Sequence, residues 1–387
     1  MKKAIIIPVY LRLKKPDELL DLEGVRLTIR AIQSLTVLED QEFTLILPVC
    51  FDLPEGGGGD VFIELDRLFR REVKTLGVGK VLIFSSHHLN PLRKYLEQRG
   101  FKTFCSLIDL AGFSKIRNTG LLLAQALSMD VVLFIDNDEV VEDPHYLKIA
   151  CEYLNQRWKG RWVVGKGGFY VNPDGAILLP PQGLWWRFLW NKTKWMNQVW
   201  ETILSSNDRL VSSPVLLGGN LILLRQLFQS VPFDPYIPRG EDTDYLINAS
   251  QLGYCLLFDK LLRIKHLHPE RTKIYFHEEL KGDIERFIYE RGKIKGGLDM
   301  NLDPYPGYFL KWTLYPKVIL TSLFLSLDYM GKRDWKRAKE CMMNIGLVFQ
   351  KRREGWLEYL RFKKEWEKVM ERIQKEGMGE LLESCWG

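Results

Sequence analysis

Val131-Val132-Leu133-Phe134-Ile135-Asp136-Asn137-Asp138-Glu139 is the stretch on which the reading of this chain turns. An apolar run meets a cluster of carboxylates with no break. A short, continuously apolar run suits a strand buried on both faces, as in a parallel sheet covered by helices. If extended backbone persists beyond Ile135, Asp136 and Asp138 point to the same side. Two carboxylates so placed suit a hard cation such as Mg2+ or Mn2+, which keeps sites for substrate phosphates. The plainer alternative is an acidic turn capping the segment that starts at Asp143-Pro144.

Upstream, Ala4–Val9, Thr44–Val49 and Lys80–Ser85 are also β-rich runs of strand length. Helical spacing fills Val61–Leu76 and Pro91–Arg99 between them. This alternation predicts an α/β fold, a mostly parallel sheet flanked by helices, with ligands outside the carboxyl ends of its strands. Glu55-Gly56-Gly57-Gly58-Gly59-Asp60 lacks the Gly-Lys-Ser/Thr ending of a phosphate-binding loop and reads as a plain loop. Residues 160 to 300 are less regular, with a helix starting near Glu241. Asn301 to Gly307, holding Pro304 and Pro306, reads as a linker into a helical C-terminal extension.

Composition narrows the class. With 387 residues, 46% hydrophobic and 27% charged, the chain can build a substantial core, which excludes disorder for most of it. Its net charge of +6 is modest, and no nucleic-acid motif accompanies it. Six scattered cysteines without a CxxC pair argue against a disulfide framework or a zinc cluster and fit a cytoplasmic protein. The apolar start Ala4–Ile7 meets Pro8 at once, so it reads as a strand and not a signal peptide. Val318–Leu327 is about half the ~20 residues a membrane span needs.

Two further clusters carry chemistry. Gly112-Phe113-Ser114-Lys115-Ile116-Arg117-Asn118 opens a helix with Ile116, Gly120, Leu123 and Leu127 on one face. Ser114 is the expected N-cap, and Lys115 and Arg117 near that end would favour an anion. Leu217-Gly218-Gly219-Asn220 is followed by Arg239-Gly240-Glu241-Asp242-Thr243-Asp244, where acidic residues also complement a helix dipole. His266-Leu267-His268 follows the strand pieces Cys255–Phe258 and Leu261–Ile264, whereas His87-His88 reads as surface.

Ile5-Ile6-Ile7-Pro8-Val9-Tyr10, Lys115-x-Arg117-Asn118 and Asp136-Asn137-Asp138, in this order, resemble the GT-A fold glycosyltransferases, family 2 and its relatives in particular. The resemblance implies a GT-A (nucleotide-diphospho-sugar transferase-like) sheet and a metal-dependent hexosyltransferase. The donor would be a GDP- or UDP-linked sugar, the cofactor Mn2+ or Mg2+, and transfer to an acceptor hydroxyl would invert the anomeric centre. It assigns the donor to Pro8, Val9, Tyr10, Lys115, Arg117, Asn118, Asp136, Asn137, Gly219 and Asn220. The metal falls to Asp136 and Asp138 with His266 or His268, and the acceptor's proton to Asp242 or, as second choice, Glu241.

The family's Asp-Asp-Gly-Ser turn after the second strand is missing here, and Asp52 is the residue left to meet the base. Leu11-Arg12-Leu13 also stands where the family has acidic or polar residues. The implied organisation is a catalytic domain at 1–300, with a nucleotide-binding half to about 140 and an acceptor half beyond it, followed by a helical region at 301–387.

Arg239, Arg271 and Lys273 suit an anionic acceptor. Trp186 and its neighbours in Leu184–Trp190 could form an acceptor platform, ordinary core, or a contact at the inner face of a membrane serving a lipid-linked acceptor. The competing readings are a retaining GT-A enzyme, a sugar nucleotidyltransferase, and a degenerate fold that only binds nucleotide sugars. The nucleotidyltransferase normally needs a Gly-rich basic loop where this chain has Pro8-Val9-Tyr10-Leu11.

Overall fold

The computed structural model describes residues 1–13, 22–53, 59–180, 188–267, 276–294, 301–350 and 355–386. In chain order its strands are β1 (Lys3–Ile6), β2 (Val9–Arg12), β3 (Phe43–Asp52), β4 (Lys80–Ser85), β5 (Val131–Phe134), β6 (Glu139–Val140), β7 (Arg157–Trp158), β8 (Arg161–Val171), β9 (Leu210–Val211), β10 (Leu221–Leu224) and β11 (Cys255–His266). β4, β3, β1 and β5 lie side by side, all parallel. β10 then inserts antiparallel between β5 and β8, β11 runs parallel to β8, and β6 closes the far edge against β11. The sheet is the mostly parallel, helix-flanked one expected.

The expected strand Ala4–Val9 is divided at Pro8. That residue has no N–H to donate, so β1 pairs with the start of β3 and β2 resumes against its end. Both faces of the sheet are covered. Ile5, Ile7, Leu45 and Leu133 pack in one apolar layer, and Ala4, Ile6, Ile46, Val132 and Phe134 in the other. Period-two alternation on a doubly buried strand explains why these runs are apolar throughout. The helix Phe113–Ala126 approaches closely at Gly120, where a Cβ would lie 2.8 Å from Ile6 Cγ2.

The C-terminal helices are part of this body. Trp366, Val369, Met370 and Ile373 of the helix Gly355–Glu376 join the same apolar layer as Ile6 and Phe134. Trp366 is fully buried, and its Nε1 donates to the Phe228 carbonyl at 2.9 Å. Residues 301–307, expected as a linker, instead bury Leu302 and Tyr305, and Phe309 just beyond stacks on Phe287 at 4.7 Å. Aromatic burial outweighs the two prolines there. Among the described residues no helix is long and apolar enough to cross a membrane.

The Trp366 anchorage can be measured. Trp366→Ala should destabilise the whole chain by about 3–5 kcal/mol in denaturant unfolding, in a single transition. A C-terminal transition separate from an unchanged main one would show that the helices fold apart.

Candidate active site

The carboxyl ends of the parallel strands open on a groove of about 1210 Å³. Its chemistry begins with Arg117. The helix carrying it starts after Gly112, whose φ of 101° is open only to glycine at low cost, so Gly112 and not Ser114 is the N-cap. Ser114 sits buried inside the first turn. One turn in, the Arg117 guanidinium is 4% exposed and ties three segments together. Nη2 meets Asp136 Oδ1 at 2.6 Å, Nη1 donates to the Gly218 carbonyl at 2.9 Å, and Nε reaches Glu241 Oε1 at 3.3 Å. Burial opposes its charge, but Asp136 and Glu241 overcome that and hold it protonated.

The acidic triplet does not continue as extended chain. β5 ends at Phe134, and the Glu139 N–H donates back to the Asp136 carbonyl at 3.1 Å. Glu139 Oε2 in turn accepts from the Asp136 N–H at 2.8 Å. This turn gives the two aspartates different partners along one groove. Asp136 leans on Arg117, while Asp138 Oδ2 lies 3.2 Å from His266 Nε2. The contact exists because β6 pairs with the end of β11, setting His266 opposite Glu139. The His266 ring stacks on Tyr170 at 5.2 Å.

The second cluster faces the first. The helix Glu241–Gln251 starts after Gly240 at φ 71°. Asp242 Oδ1 accepts from the Thr243 N–H at 2.6 Å, and Oδ2 accepts from the Gly218 N–H at 3.2 Å. The Gly218 backbone therefore bridges Arg117 and Asp242, its carbonyl accepting from one and its N–H donating to the other. Burial raises the carboxyl pKa of Glu241, partly against Arg117, and raises that of Glu139 well above its ordinary value, with Asp136 adding to it. Asp136, Asp138, Glu139, Glu241 and Asp242 thus face Arg117 and His266, an excess of acid that a divalent cation relieves. Asp138 and His266 offer two ligands, and an ion of the Mg2+ or Mn2+ type completes its set with substrate oxygens. The donor set fits such an ion.

Other expected residues fall on both sides of the groove wall. Pro8, Tyr10, Asn137 and Arg239 line it. Tyr10 donates to Asp52, which Arg12 Nε also meets at 3.2 Å. Burial, with Asp52 beside it, lifts the Tyr10 phenol to about 12. Five expected residues are placed off the groove wall. Val9 is fully buried in the core, and half-buried Lys115 is not on the groove wall. Asn118 exchanges both amide bonds with the Phe233 backbone at 2.8 and 2.9 Å. Asn220 braces the Phe169 carbonyl and Tyr146 Oη. Gly219 lies behind the wall, its N–H on Tyr170 Oη at 2.7 Å and no room for a Cβ against Glu139. Trp186, Arg271 and His268 lie outside the described residues. Trp190 is core, packed on Phe287 and Phe309, although its edge reaches the groove.

His87 and His88, expected on the surface, are half-buried and buried. They stack at 3.8 Å beside Asp66, away from the groove. These three side chains gather possible ligand atoms within 4.8 Å, but Arg70 already neutralises Asp66, and Ser85 Oγ donates to it at 2.7 Å. Tyr170, Glu139 and Arg286 were not anticipated. Glu139 adjoins the triplet and was open to notice; nothing local marks the other two.

No protein-family model and no curated protein matches this chain. Solved structures resemble it distantly. A mannosyltransferase from Pyrobaculum calidifontis, in complex with GDP-Man and Mn2+, is 10% identical over 97% of this chain and 87% of that one, with a TM-score of 0.49. Glucosyl-3-phosphoglycerate synthase from Mycobacterium tuberculosis, with Mn2+ and UDP-Glc, is 14% identical over 70% and 72%, TM-score 0.36. The inositol-1-phosphate CTP transferase from T. maritima is 11% identical over 70% and 90%, TM-score 0.34. At such distances these likenesses assign no activity, which must come from the groove's own residues.

Below Asp242, the helix Phe276–Ile294 brings Arg286 to the groove, with Nε on Glu290 Oε1 at 2.8 Å and Nη1 on Tyr305 Oη at 3.2 Å. Burial lifts the Glu290 carboxyl to about 7 although Arg286 pulls it down. A folded-state pKa above the unfolded value gives stability that is full below about pH 4 and lost as pH rises toward the folded value. Relative to Glu290→Gln, the wild type should therefore lose up to about 1.4 kcal/mol per pH unit between about pH 4.5 and 7, then level off. Urea unfolding of both proteins across that range checks the sign; a difference growing with pH would contradict it.

Proposed function

We propose that this chain is a metal-dependent glycosyltransferase that moves a sugar from a GDP- or UDP-linked donor to an acceptor hydroxyl. The observation that carries the reading is the meeting of Asp138 with His266 in the same groove as Asp242, which Gly218 and Arg117 tie to Asp136 on the same acidic turn. A bound Mn2+ or Mg2+ held by Asp138 and His266 would neutralise charge developing on the departing diphosphate.

The protein's own groups do the rest. Arg117 keeps Asp136 and Glu241 in place and adds positive potential where the diphosphate would lie. Two backbone N–H groups orient the Asp242 carboxylate toward the groove, ready to take the acceptor's proton. The acceptor oxygen attacks the anomeric carbon as the carbon–oxygen bond to the diphosphate breaks, inverting that centre. Tyr10 of β2, on the groove wall and bonded to Asp52 at the end of β3, is the group offered to the nucleoside. In this reading residues 1–300 form the catalytic domain and residues 301–387 buttress it.

Incubation with Mn2+ and a panel of nucleotide sugars tests the proposal. Slow release of nucleoside diphosphate supports it, pyrophosphate release would indicate nucleotidyl transfer, and binding without turnover a non-catalytic role. Asp242→Asn should lower kcat by about 10²–10⁴ while the fold survives. Asp138→Ala and His266→Ala should each weaken the response to Mn2+. Wild-type rates in both Asp138→Ala and Asp242→Asn would overturn the assignment.

A further inference from the structure

Arg286 is 6% exposed, lines the groove, and carries a donor, Nη2, that has no hydrogen-bond partner among the described residues. A buried guanidinium nitrogen left unpaired is costly, so such a group marks a place where a ligand belongs. Its position is specific. The guanidinium lies against Gly240, where any Cβ would overlap its central carbon and Nη1. Gly240 immediately precedes Glu241 and Asp242, so the guanidinium lies near enough to the proposed base to feel its charge.

Two further cations stand on the same wall. Lys192 Nζ reaches Asp283 Oδ2 at 2.6 Å, and Arg239 Nη1 reaches Asp283 Oδ1 at 3.4 Å. One carboxylate shared by two cations leaves one positive charge, which Glu279 on the same groove balances. Glu279 thereby works against an anion, while Glu290 is committed to Arg286 Nε. The balance at Arg286 still favours a negative oxygen, because a guanidinium donor binds a carboxylate or phosphate more strongly than a neutral oxygen.

We infer that Arg286, supported by Arg239 and Lys192, binds an anionic group of the acceptor, a carboxylate or a phosphate monoester a few bonds from the hydroxyl presented to Asp242. This rests on the transfer reaction proposed above and names its acceptor class. Gly240 is then a specificity residue by omission: its missing side chain lets the guanidinium lie against the helix start.

Calorimetry on the full chain, saturated with Mg2+ and the nucleoside diphosphate, tests the inference with glycerol, glycerate and glycerol phosphate as a matched series. The wild type should bind at least one of the two anions at least tenfold more tightly than glycerol, and the arm that binds separates carboxylate from phosphate. Arg286→Gln combined with Glu290→Gln, which leaves no charge buried alone, should bring that ratio to within about twofold. A far-UV circular dichroism spectrum matching the wild type shows that the double variant is folded, so that a lost ratio reports on Arg286. The inference falls if neither anion outbinds glycerol, or if the ratio persists in the double variant. Absence of donor hydrolysis in the wild type would instead defeat the transfer reaction, whatever the anions do.

Discussion

Arg117 is the group around which the site is built. Its three donor nitrogens reach the turn after β5, the loop before β10 and the start of the helix at Glu241, segments more than a hundred residues apart in sequence at the extremes. A buried guanidinium with two carboxylates and a carbonyl has its donors directed and its charge compensated. Removing one partner from such a cluster typically costs about 3–5 kcal/mol, because the remaining charge is stranded out of water. The cluster therefore specifies geometry as much as it stabilises: Asp136, Gly218 and Glu241 can be near one another in few other arrangements.

The same cluster sets the electrostatics. Arg117 carries one charge for two carboxyl partners, Asp136 and Glu241, while burial pushes Glu139 and Glu241 toward their neutral forms. The groove gathers Asp136, Asp138 and His266 on the acidic turn, and Arg286, Arg239 and Lys192, balanced by Asp283, Glu279 and Glu290, beside the helix Phe276–Ile294. The sheet makes this possible because β10, antiparallel between β5 and β8, brings Gly218 and Gly219 to the same edge as the acidic turn.

Much of this was legible beforehand, for identifiable reasons. Doubly buried parallel strands must be apolar on both faces, so β3, β4 and β5 stand out as continuous runs. The acidic residues at Asp136, Asp138, Glu241 and Asp242 follow a strand or open a helix, where local pattern is informative. Asn118 and Asn220 satisfy backbone groups in the structure, and in sequence a buried amide doing so looks the same as one reaching for a ligand. Residues 301–307 were misread because proline suggests a linker, while the burial of Tyr305 and Phe309 depends on partners far away in sequence.

The sequence by itself determined the α/β alternation, the core strands and the acidic residues at their ends, since these follow from local periodicity and residue chemistry. Only the tertiary structure decided which groups meet. His266 reaches Asp138 through the pairing of β6 with β11, Tyr170 stacks on His266, and Arg286 comes near Asp242 from a helix some forty residues downstream. Those meetings depend on strand order, register and helix docking, which are set by packing between distant segments and leave no periodic trace along the chain.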